Sequence, residues 1–403
     1  MFYLCTLNFE IIMKRSFRLI FALILIGLAT QNIFAQGTLS GANTITTAVP
    51  FLAITPDSRA GGMGDVGVGT TPDVNSQHWN PAKYVFMESD MGVGLSYSPW
   101  LRNLVSDINL AYLTFYKKLD DVQGISTSLR YFSLGNITFT TDQGDVMGQQ
   151  SPNEFALDLA YSRLLSESWS GAVAVRYIRS DLTSGQLVNG IPTYAGNSYA
   201  ADVAFYYHKE FRRNRRDNLF TAGINVQNIG AKISYTEGEV KDFIPTTLKL
   251  GASYTVELDE YNSFSFSAEA NKLLVPTPPA DSTQYQDGDV IWAGGINSDI
   301  GVIEGIFKSF GDAPGGFKEE MKEITWAVGV EYWYNKQFAI RAGYFYENEY
   351  KGNRKFLTAG AGLKMNVFAL DFSYLLPTQR NHPLENTLRF TLAFDIDAFG
   401  QQR

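Results

Sequence analysis

The sequence predicts an all-β protein: a transmembrane antiparallel β-barrel of about fourteen strands, preceded by an N-terminal plug segment. From residue 91 onward, apolar residues alternate with small or polar ones over stretches of roughly ten residues, a period of two that is typical of strands with one apolar face. In 155–162, for example, Phe155, Leu157 and Leu159 fall on one face. Tilted membrane strands need about 9–11 residues, whereas soluble sandwiches rarely need strands this long. The apolar faces are therefore expected to meet lipid.

The strands and their connections support this fold independently. The predicted strands are 91–97, 108–117, 124–132, 153–164, 169–180, 198–210, 218–228, 246–258, 262–273, 325–334, 338–346, 356–365, 367–375 and 387–396. The connections between them alternate between long and short without exception, and the ninth, 274–324, is the longest. Outer-membrane barrels have short periplasmic turns and long extracellular loops. The pattern therefore predicts a closed barrel with an even number of strands and with both termini in the periplasm.

The first 35 residues predict a secretory signal peptide with an upstream extension. Basic residues precede the apolar run 19–29, and Ala35 precedes the expected cleavage point. The only cysteine, Cys5, lies in this discarded part, which excludes disulfides and cysteine nucleophiles from the mature chain. No apolar run approaches the about 20 residues of a transmembrane helix. The net charge of −8 gives no indication of nucleic-acid binding.

Residues 36–90 lack the alternation of strands and form a separate region before the barrel, which we assign to 91–403. The block 58–69 is rich in glycine, and 62–67 has the letters GxGxxG of a dinucleotide site. No strand precedes it, however, and Pro72 interrupts the helix that should follow. Glycine lets backbones pack closely, and a barrel of about fourteen strands is too wide for its own side chains to fill. The sequence therefore predicts that 36–90 plugs the barrel.

Two short motifs carry a resemblance to a known family. Arg59-Ala-Gly-Gly-Met-Gly64 and Asn80-Pro81-Ala82 resemble the N-terminal signature of FadL-like outer-membrane proteins, which are fourteen-stranded barrels with an N-terminal plug. The longer string 49–82 resembles more closely the PorV (LptO) family of the type IX secretion system of Bacteroidetes. The residues that we assign to the plug motif are Arg59, Gly62, Gly64, Asn80 and Pro81.

The resemblance implies a role in protein secretion rather than enzyme chemistry. PorV-like barrels associate with the translocon barrel SprA (Sov), receive the folded C-terminal signal domain of exported cargo and pass it to the PorU attachment complex. The resemblance also implies the outer membrane of a Gram-negative Bacteroidetes cell, with lipid and lipopolysaccharide around the barrel. Two alternatives stay open, a FadL-type transporter of hydrophobic small molecules and a lipid A deacylase.

The ninth connection is too long to be a simple link and contains a helix pattern. Ser298 is the expected N-cap and Gly311 the expected end. Apolar residues recur between them at helical spacing, and a second short helical stretch follows; the apolar residues are Ile300, Ile303, Phe307, Phe310, Phe317 and Met321. An extracellular apolar stripe needs cover, so we expect either a docking surface for cargo or translocon, or a lid over the barrel's own mouth.

The first long connection, 98–105, predicts a short helix with Pro99 at its first position. Trp100 and Leu101 would then lie on its apolar side, together with Leu104. Such residues anchor in the outer-leaflet interface or contact a partner, and the sequence alone allows both interpretations.

No residue pattern predicts catalysis, a cofactor or a metal site. A hydrolase needs serine, histidine and an acid or amide within hydrogen-bond reach, and of the three histidines only His78 has a serine within two residues. Charges of both signs fall on inward faces, and buried charges require partners. We expect them to pair with one another and with the plug; they include Asp158, Arg176, Asp202, Arg341, Asp371 and Arg389.

Overall fold

The fold is taken from a computed structural model. It describes residues 43–102, 105, 107–140, 146–183, 185, 187–188, 191–213, 216–237, 241–278, 284–286, 289–291, 300–379 and 382–397. The predicted signal peptide and the predicted N-cap Ser298 lie outside this part of the chain. Within it, no helix is both long enough and apolar enough to cross a membrane.

Fourteen antiparallel strands close into one barrel. They are β1 (Met91–Pro99), β2 (Asn109–Asp120), β3 (Gln123–Ser133), β4 (Asn153–Ser166), β5 (Trp169–Asp181), β6 (Gly196–Arg213), β7 (Arg216–Gly230), β8 (Thr247–Glu257), β9 (Asn262–Leu273), β10 (Ile324–Tyr334), β11 (Phe338–Tyr346), β12 (Lys355–Lys364), β13 (Phe368–Pro377) and β14 (Leu388–Asp395). Each strand pairs with its neighbours in sequence, and β14 closes onto β1 with Tyr97 opposite Phe390. The predicted fold, strand number and order are confirmed.

The two faces of each strand differ as the alternation requires. On β4, Leu157 and Leu159 are exposed on the outer face, whereas Ala156, Asp158 and Ala160 are buried on the inner face. A soluble protein would turn its apolar residues inward, and a membrane barrel turns them toward lipid. The outer face is therefore suited to a bilayer.

The two ends of the barrel differ in their connections. Short turns lie at one end, which we name the turn end; they include 121–122, 167–168, 258–261, 335–337 and 365–367. Long connections lie at the other, which we name the loop end. Three of these carry small hairpins that the sequence pattern did not predict: Ile137–Thr140 with Val146–Gln150, Leu187–Val188 with Ile191–Pro192, and Gln284–Gln286 with Asp289–Ile291.

Residues 43–90, which we name the N-terminal segment, contain only short helices. They are the 3-10 helices Pro50–Ala53 and Pro81–Phe86 and the α-helices α1 (Ser58–Gly61) and α2 (Ser76–Trp79). Asp57 caps α1 by accepting from Ala60 N at 2.9 Å. Asn80 caps the helix that Pro81 begins, and this matches the preference for Asn at N-cap and Pro at the first position.

The N-terminal segment runs through the barrel from the loop end to the turn end. At its start, Asn43 N donates to Tyr350 O at 3.1 Å, in the connection between β11 and β12. At its end, Met87 O accepts from Lys118 Nζ at 3.2 Å, close to the turn after β2. Near the other chain end, Asp397 binds Met91 N, also at the turn end. The first described residues therefore lie at the loop end, and the last described residues lie at the turn end.

Apolar packing inside the barrel concentrates near the loop end. Val49, Phe51 and Leu52 of the N-terminal segment join inward-facing residues of the wall in one buried cluster. The wall and loop members are Leu110, Phe132, Ala156, Ile178, Ala200, Ile233 and Ile244. The barrel interior thus contains a core that belongs to two separate parts of the chain.

Candidate functional site

The ninth connection forms a small helical layer at the loop end, residues 300–323, which we name the loop-end platform. It contains α3 (Val302–Lys308) and α4 (Phe317–Glu320). Helix α3 begins after Gly301, whose extended backbone serves as the N-cap, so it is shorter than predicted. Ile300 lies just before α3 and Phe310 just after it, and only Ile303 and Phe307 lie on the helix itself.

The apolar side chains of the platform are exposed to solvent. Ile303 is 59% exposed, Phe307 74% and Phe317 79%. Phe310 and Met321 are exposed as well, and Ile300 is partly buried. Large side chains normally leave water on folding, and a contiguous exposed apolar patch indicates an interaction surface. Five of the six apolar residues singled out in the ninth connection are therefore exposed: Ile303, Phe307, Phe310, Phe317 and Met321.

Two contacts seat the platform on the barrel mouth. Gly305 of α3 is buried, and a Cβ at this position would lie 3.1 Å from the ring of Phe243 and 3.2 Å from Pro276. Only glycine lets the helix come this close without displacing a neighbour. The second contact is a cluster of buried charges under α4.

The charge cluster joins α4 to β9 and to the connection after β11. Lys272 Nζ lies 2.9 Å from Glu320 Oε2 and 2.7 Å from Glu323 Oε2. Lys351 Nζ lies 2.6 Å from Glu319 Oε1 and 3.0 Å from Glu323 Oε1. Both ammonium groups are bound by two carboxylates each, and charge-assisted bonds of this kind are strong.

Thr277 adds two hydrogen bonds to the charge cluster, and the pKa values of two carboxyl groups in this region are shifted. Thr277 donates its hydroxyl to Glu323 at 2.8 Å and its backbone N–H to Asp312 at 2.9 Å. Burial raises the pKa of the Asp312 carboxyl. Burial also acts to raise the pKa of Glu319, but the hydrogen bonds from Lys351 and from Gly315 N, together with the charge of Lys351, leave that pKa below its usual value. The sequence pattern did not reveal this cluster, because its lysines are distant in sequence from its acids.

Trp100 and Leu101 contact the interior of the barrel instead of the predicted outer-leaflet interface. Trp100 packs against the cluster around Phe51 and also against a second cluster near the loop end. Leu101 packs against that second cluster, which contains Phe345 and Phe356. Leu101 has a φ of +50°, and Trp100 N donates to Ile108 O at 3.0 Å. Pro99 is the last residue of β1 rather than the start of a helix.

The arginine of the plug motif begins a ladder of ion pairs. Arg59 lies 2.9 Å from Asp73 and 2.8 Å from Glu331 of β10, and Glu331 also binds Arg341 of β11 at 2.7 Å. Arg341 continues to Asp371. The ladder ties the N-terminal segment to three strands. Elsewhere on the inner face Arg176 binds Asp158 and Asp202, and Arg389 lies 3.4 Å from Asp65, so the predicted pairing of inward charges is confirmed.

The other motif residues hold the N-terminal segment against strand backbones. A Cβ at Gly62 would lie 3.1 Å from Gly360 Cα, and one at Gly64 would lie 2.7 Å from Tyr344 N. Gly64 also has a φ of +74°, which favours glycine. Asn80 Nδ2 donates to Phe205 O at 2.9 Å while its oxygen caps the helix begun by Pro81.

The histidine of the N-terminal segment is held by packing and by Arg130. His78 Nδ1 lies 2.5 Å from Arg130 Nη2, and the ring lies edge-on against Trp79. Burial, and then the positive charge of Arg130, holds the pKa of His78 well below its usual value. The imidazole is therefore neutral at physiological pH, and its one bonded nitrogen acts as an acceptor.

A cavity of about 460 Å³ lies at the turn end, below the N-terminal segment. Arg59, Asp73, Phe86, Trp333 and Asp371 are among its lining residues. It shares four charged residues with the ion-pair ladder, Arg59, Asp73, Arg341 and Asp371, and is remote from the loop-end platform.

The sequence and the structure are similar to known proteins. A family model described as type IX secretion system protein PorV matches residues 38–280, which is more than half of the chain. No curated protein matches the sequence. The solved structures similar to this chain include the following three. The FadL homologue of Pseudomonas aeruginosa is 10% identical, with 88% of this chain and 99% of that chain covered and a TM-score of 0.43. The toluene transporter TbuX of Ralstonia pickettii is 10% identical, with 85% and 97% covered and a TM-score of 0.44. LpxR from Salmonella typhimurium is 8% identical, with 75% and 99% covered and a TM-score of 0.33.

Proposed function

The chain belongs to the PorV family of the type IX secretion system, and from this premise we propose that it is a cargo-handling subunit without enzymatic activity. In this proposal it binds the C-terminal signal domain of exported cargo at the translocon barrel SprA (Sov). It then passes the cargo to the PorU attachment complex at the cell surface. Lipid and lipopolysaccharide surround its apolar outer face.

The exposed apolar platform carries this proposal. Its two most exposed phenylalanines, Phe307 and Phe317, lie outside every barrel strand and are seated on the mouth by Gly305 and the charge cluster. A buried aromatic anchor commonly contributes about 2 kcal/mol or more to a protein interface. The platform offers several such side chains in one connection, and contacts that hold them in place before binding reduce the ordering cost of association.

The N-terminal segment occupies part of the barrel interior. We propose that it acts as a plug, since its helices bond to side chains of the wall and its apolar residues complete a core inside the barrel. A FadL-type transporter would need a path for hydrophobic molecules past this core. A lipid A deacylase would need a reactive serine–histidine pair.

We also propose that the loop end is extracellular and the turn end periplasmic. Short turns face the periplasm and long loops face outward in outer-membrane barrels. Single cysteines at Glu349 of the loop end and Asp259 of the turn end test this, because both residues are exposed and the mature chain has no other thiol. A membrane-impermeant maleimide should label the first on intact cells and not the second. The reverse result would invert the topology.

A deletion strain separates the three functions. If the protein handles cargo, proteins with C-terminal signal domains accumulate in the periplasm of the deletion strain. If it is a transporter, secretion continues and uptake of a hydrophobic nutrient is lost. If it is a deacylase, secretion continues and the lipid A acyl pattern changes.

The double substitution Phe307→Ala with Phe310→Ala tests the platform directly. We expect at least about thirtyfold weaker capture of a purified cargo signal domain, or of the translocon, because the interface loses aromatic anchors worth about 2 kcal/mol each. Heat-modifiable migration on a gel should be unchanged, since neither residue lies in a strand. Tyr261→Ala, an equally exposed aromatic at the turn end, is the matched control. Normal capture by the assembled double mutant would mean that the platform is a lid over the barrel mouth and not a binding surface.

A further inference from the structure

The start of the N-terminal segment, residues 43–47, is an extended stretch at the loop end. It has no helix or strand partner in the described chain and precedes the first 3-10 helix. Thr44 and Thr46 are exposed, whereas Asn43, Ile45 and Thr47 are partly buried. This alternation is that of a strand with one side toward the protein and one toward solvent. We name residues 43–47 the extended flank.

Hydrogen bonds hold the extended flank in place at both of its ends. Asn43 donates its backbone N–H to Tyr350 O and its side-chain amide to Pro278 O, each at 3.1 Å. Just beyond the flank, Ala48 N donates to Phe243 O at 2.9 Å. Phe243 is also the residue on which Gly305 of the platform rests. The flank therefore lies beside the platform, and its ends are held in place before any partner binds.

The backbone of the extended flank has unused hydrogen-bonding capacity. Among contacts between described residues, the N–H and C=O groups of 44–47 form no hydrogen bond. A row of unpaired backbone groups is a template for pairing with another chain. The cost of ordering such a template is reduced when its ends are already tethered.

The sequence of the flank lacks the devices that usually protect such an edge. Native edges are blunted by charged side chains or by proline. The first charged residue after Asn43 is Asp57, and the first proline is Pro50. Threonine and isoleucine, which favour strands, occupy 44–47 instead. An edge of this kind is an aggregation hazard unless a partner uses it.

We propose that the extended flank binds an extended segment of a partner polypeptide by β-augmentation, in which main-chain hydrogen bonds add a strand to an open edge. The proposal rests on the proposed function in one respect, because the partner to be tested is the cargo signal domain. It adds a second contact next to the platform, with backbone rather than aromatic recognition. The flank lies within the range that the family model matches, and the platform lies beyond it.

Proline substitution tests backbone pairing with little change in side-chain volume. Adjacent N–H groups of a strand point to opposite edges, so Ile45→Pro removes a donor from one edge and Thr46→Pro from the other. Ile45→Ala and Thr46→Ala are the matched controls. We expect one proline variant to weaken capture of a purified cargo signal domain by about tenfold, from lost main-chain bonds, and its alanine control to stay within about twofold. Equal capture by proline and alanine variants at both positions would overturn the proposal.

A chemical block covers the case in which a proline variant does not assemble. A bulky maleimide on Thr44→Cys, added after assembly, should prevent capture, and the same reagent on Asp259→Cys at the turn end should not. Labelling of Thr44→Cys should follow that of Glu349→Cys on intact cells, whichever way the barrel is oriented. If it follows Asp259→Cys, or if the blocked protein captures normally, the flank is not the site. Dimer formation through the flank, lost in the same proline variants, would assign the edge to a second copy and overturn the proposed partner.

The flank variants and the platform variant test the two proposed binding sites independently. Loss of capture in the flank variants with normal capture in Phe307→Ala with Phe310→Ala would leave the flank as the recognition element and remove the platform. The opposite result would keep the proposed function and reject the flank.

Discussion

The N-terminal segment and the loop-end platform are both non-strand regions with large apolar residues. The N-terminal segment buries these side chains, whereas the platform exposes them. Phe51 and Met63 of the N-terminal segment are 0% and 1% exposed, whereas Phe307 and Phe317 of the platform are 74% and 79% exposed. Burial of apolar surface stabilises by about 25 cal/mol per Å². The same residue types therefore stabilise the fold inside the barrel and are available to a partner at its mouth.

The two regions are nevertheless held by the same kind of contact. Arg59 binds the inner wall through Glu331, and Lys351 binds the platform through Glu319 and Glu323. In each region a glycine allows close approach, Gly64 against Tyr344 and Gly305 against Phe243. The difference lies in what surrounds the apolar side chains and not in how the backbone is fixed.

Stability measurements on one phenylalanine from each region should give the largest contrast. Phe51→Ala should lower the free energy of unfolding by about 3–5 kcal/mol, because it leaves a cavity in a packed cluster. Phe307→Ala should change it by less than about 0.5 kcal/mol, since an exposed side chain loses little packing. Urea unfolding in detergent micelles measures both. Similar losses for the two variants would mean that the platform is packed as firmly as the segment.

The stability of the N-terminal segment should also depend on pH above neutrality. Burial lowers the pKa of Lys83 from 10.5 to about 8, and its ammonium donates to Gly67 O at 2.9 Å. Since the unfolded chain binds the proton more tightly, the free energy of unfolding should rise as the pH rises from about 8 to 10.5, by up to about 3 kcal/mol. Lys83→Met should flatten this rise relative to the wild type over the same window. A parallel rise in both proteins would assign the dependence to other groups.

The platform should loosen without the barrel when one buried cation is removed. Lys351→Met leaves two carboxylates short of a donor, and hydrogen bonds to charged groups are worth about 1.5–3 kcal/mol. We expect faster hydrogen exchange at 317–323 with unchanged heat-modifiable migration. Lys308→Met is the control, because its pair with Glu304 is about half exposed and such pairs contribute little. Unchanged exchange in Lys351→Met would show that Gly305 and its neighbours suffice.

Much of the architecture could be predicted because it is local in the chain. Alternation identified the outward faces of the strands, as Leu157 and Leu159 show, and connection lengths identified the two ends. The apolar residues of the ninth connection were also identified, although α3 starts at Val302 instead of near Ser298. The family resemblance, read from Arg59 to Pro81, is confirmed by the family model.

Other features were missed because they join distant residues. Nothing near Lys272 in sequence indicates Glu323, its partner 51 residues later. Trp100 was expected at the lipid interface or in contact with a partner, whereas it packs against the buried cluster around Phe51. The path of the N-terminal segment was missed as well, since the contact of Asn43 with Tyr350 depends on closure of the barrel.

The sequence by itself determined the strands, their faces, the alternation of their connections and the family, because each depends on residue types and their spacing along the chain. The tertiary structure alone decided which apolar residues outside the strands are buried and which are exposed, and which charges pair with each other. Arg59 and Glu331 are separated by 272 residues, and only the closed barrel brings them to 2.8 Å. Closure places β14 beside β1 and encloses the barrel interior, and no local pattern specifies which segment fills that interior.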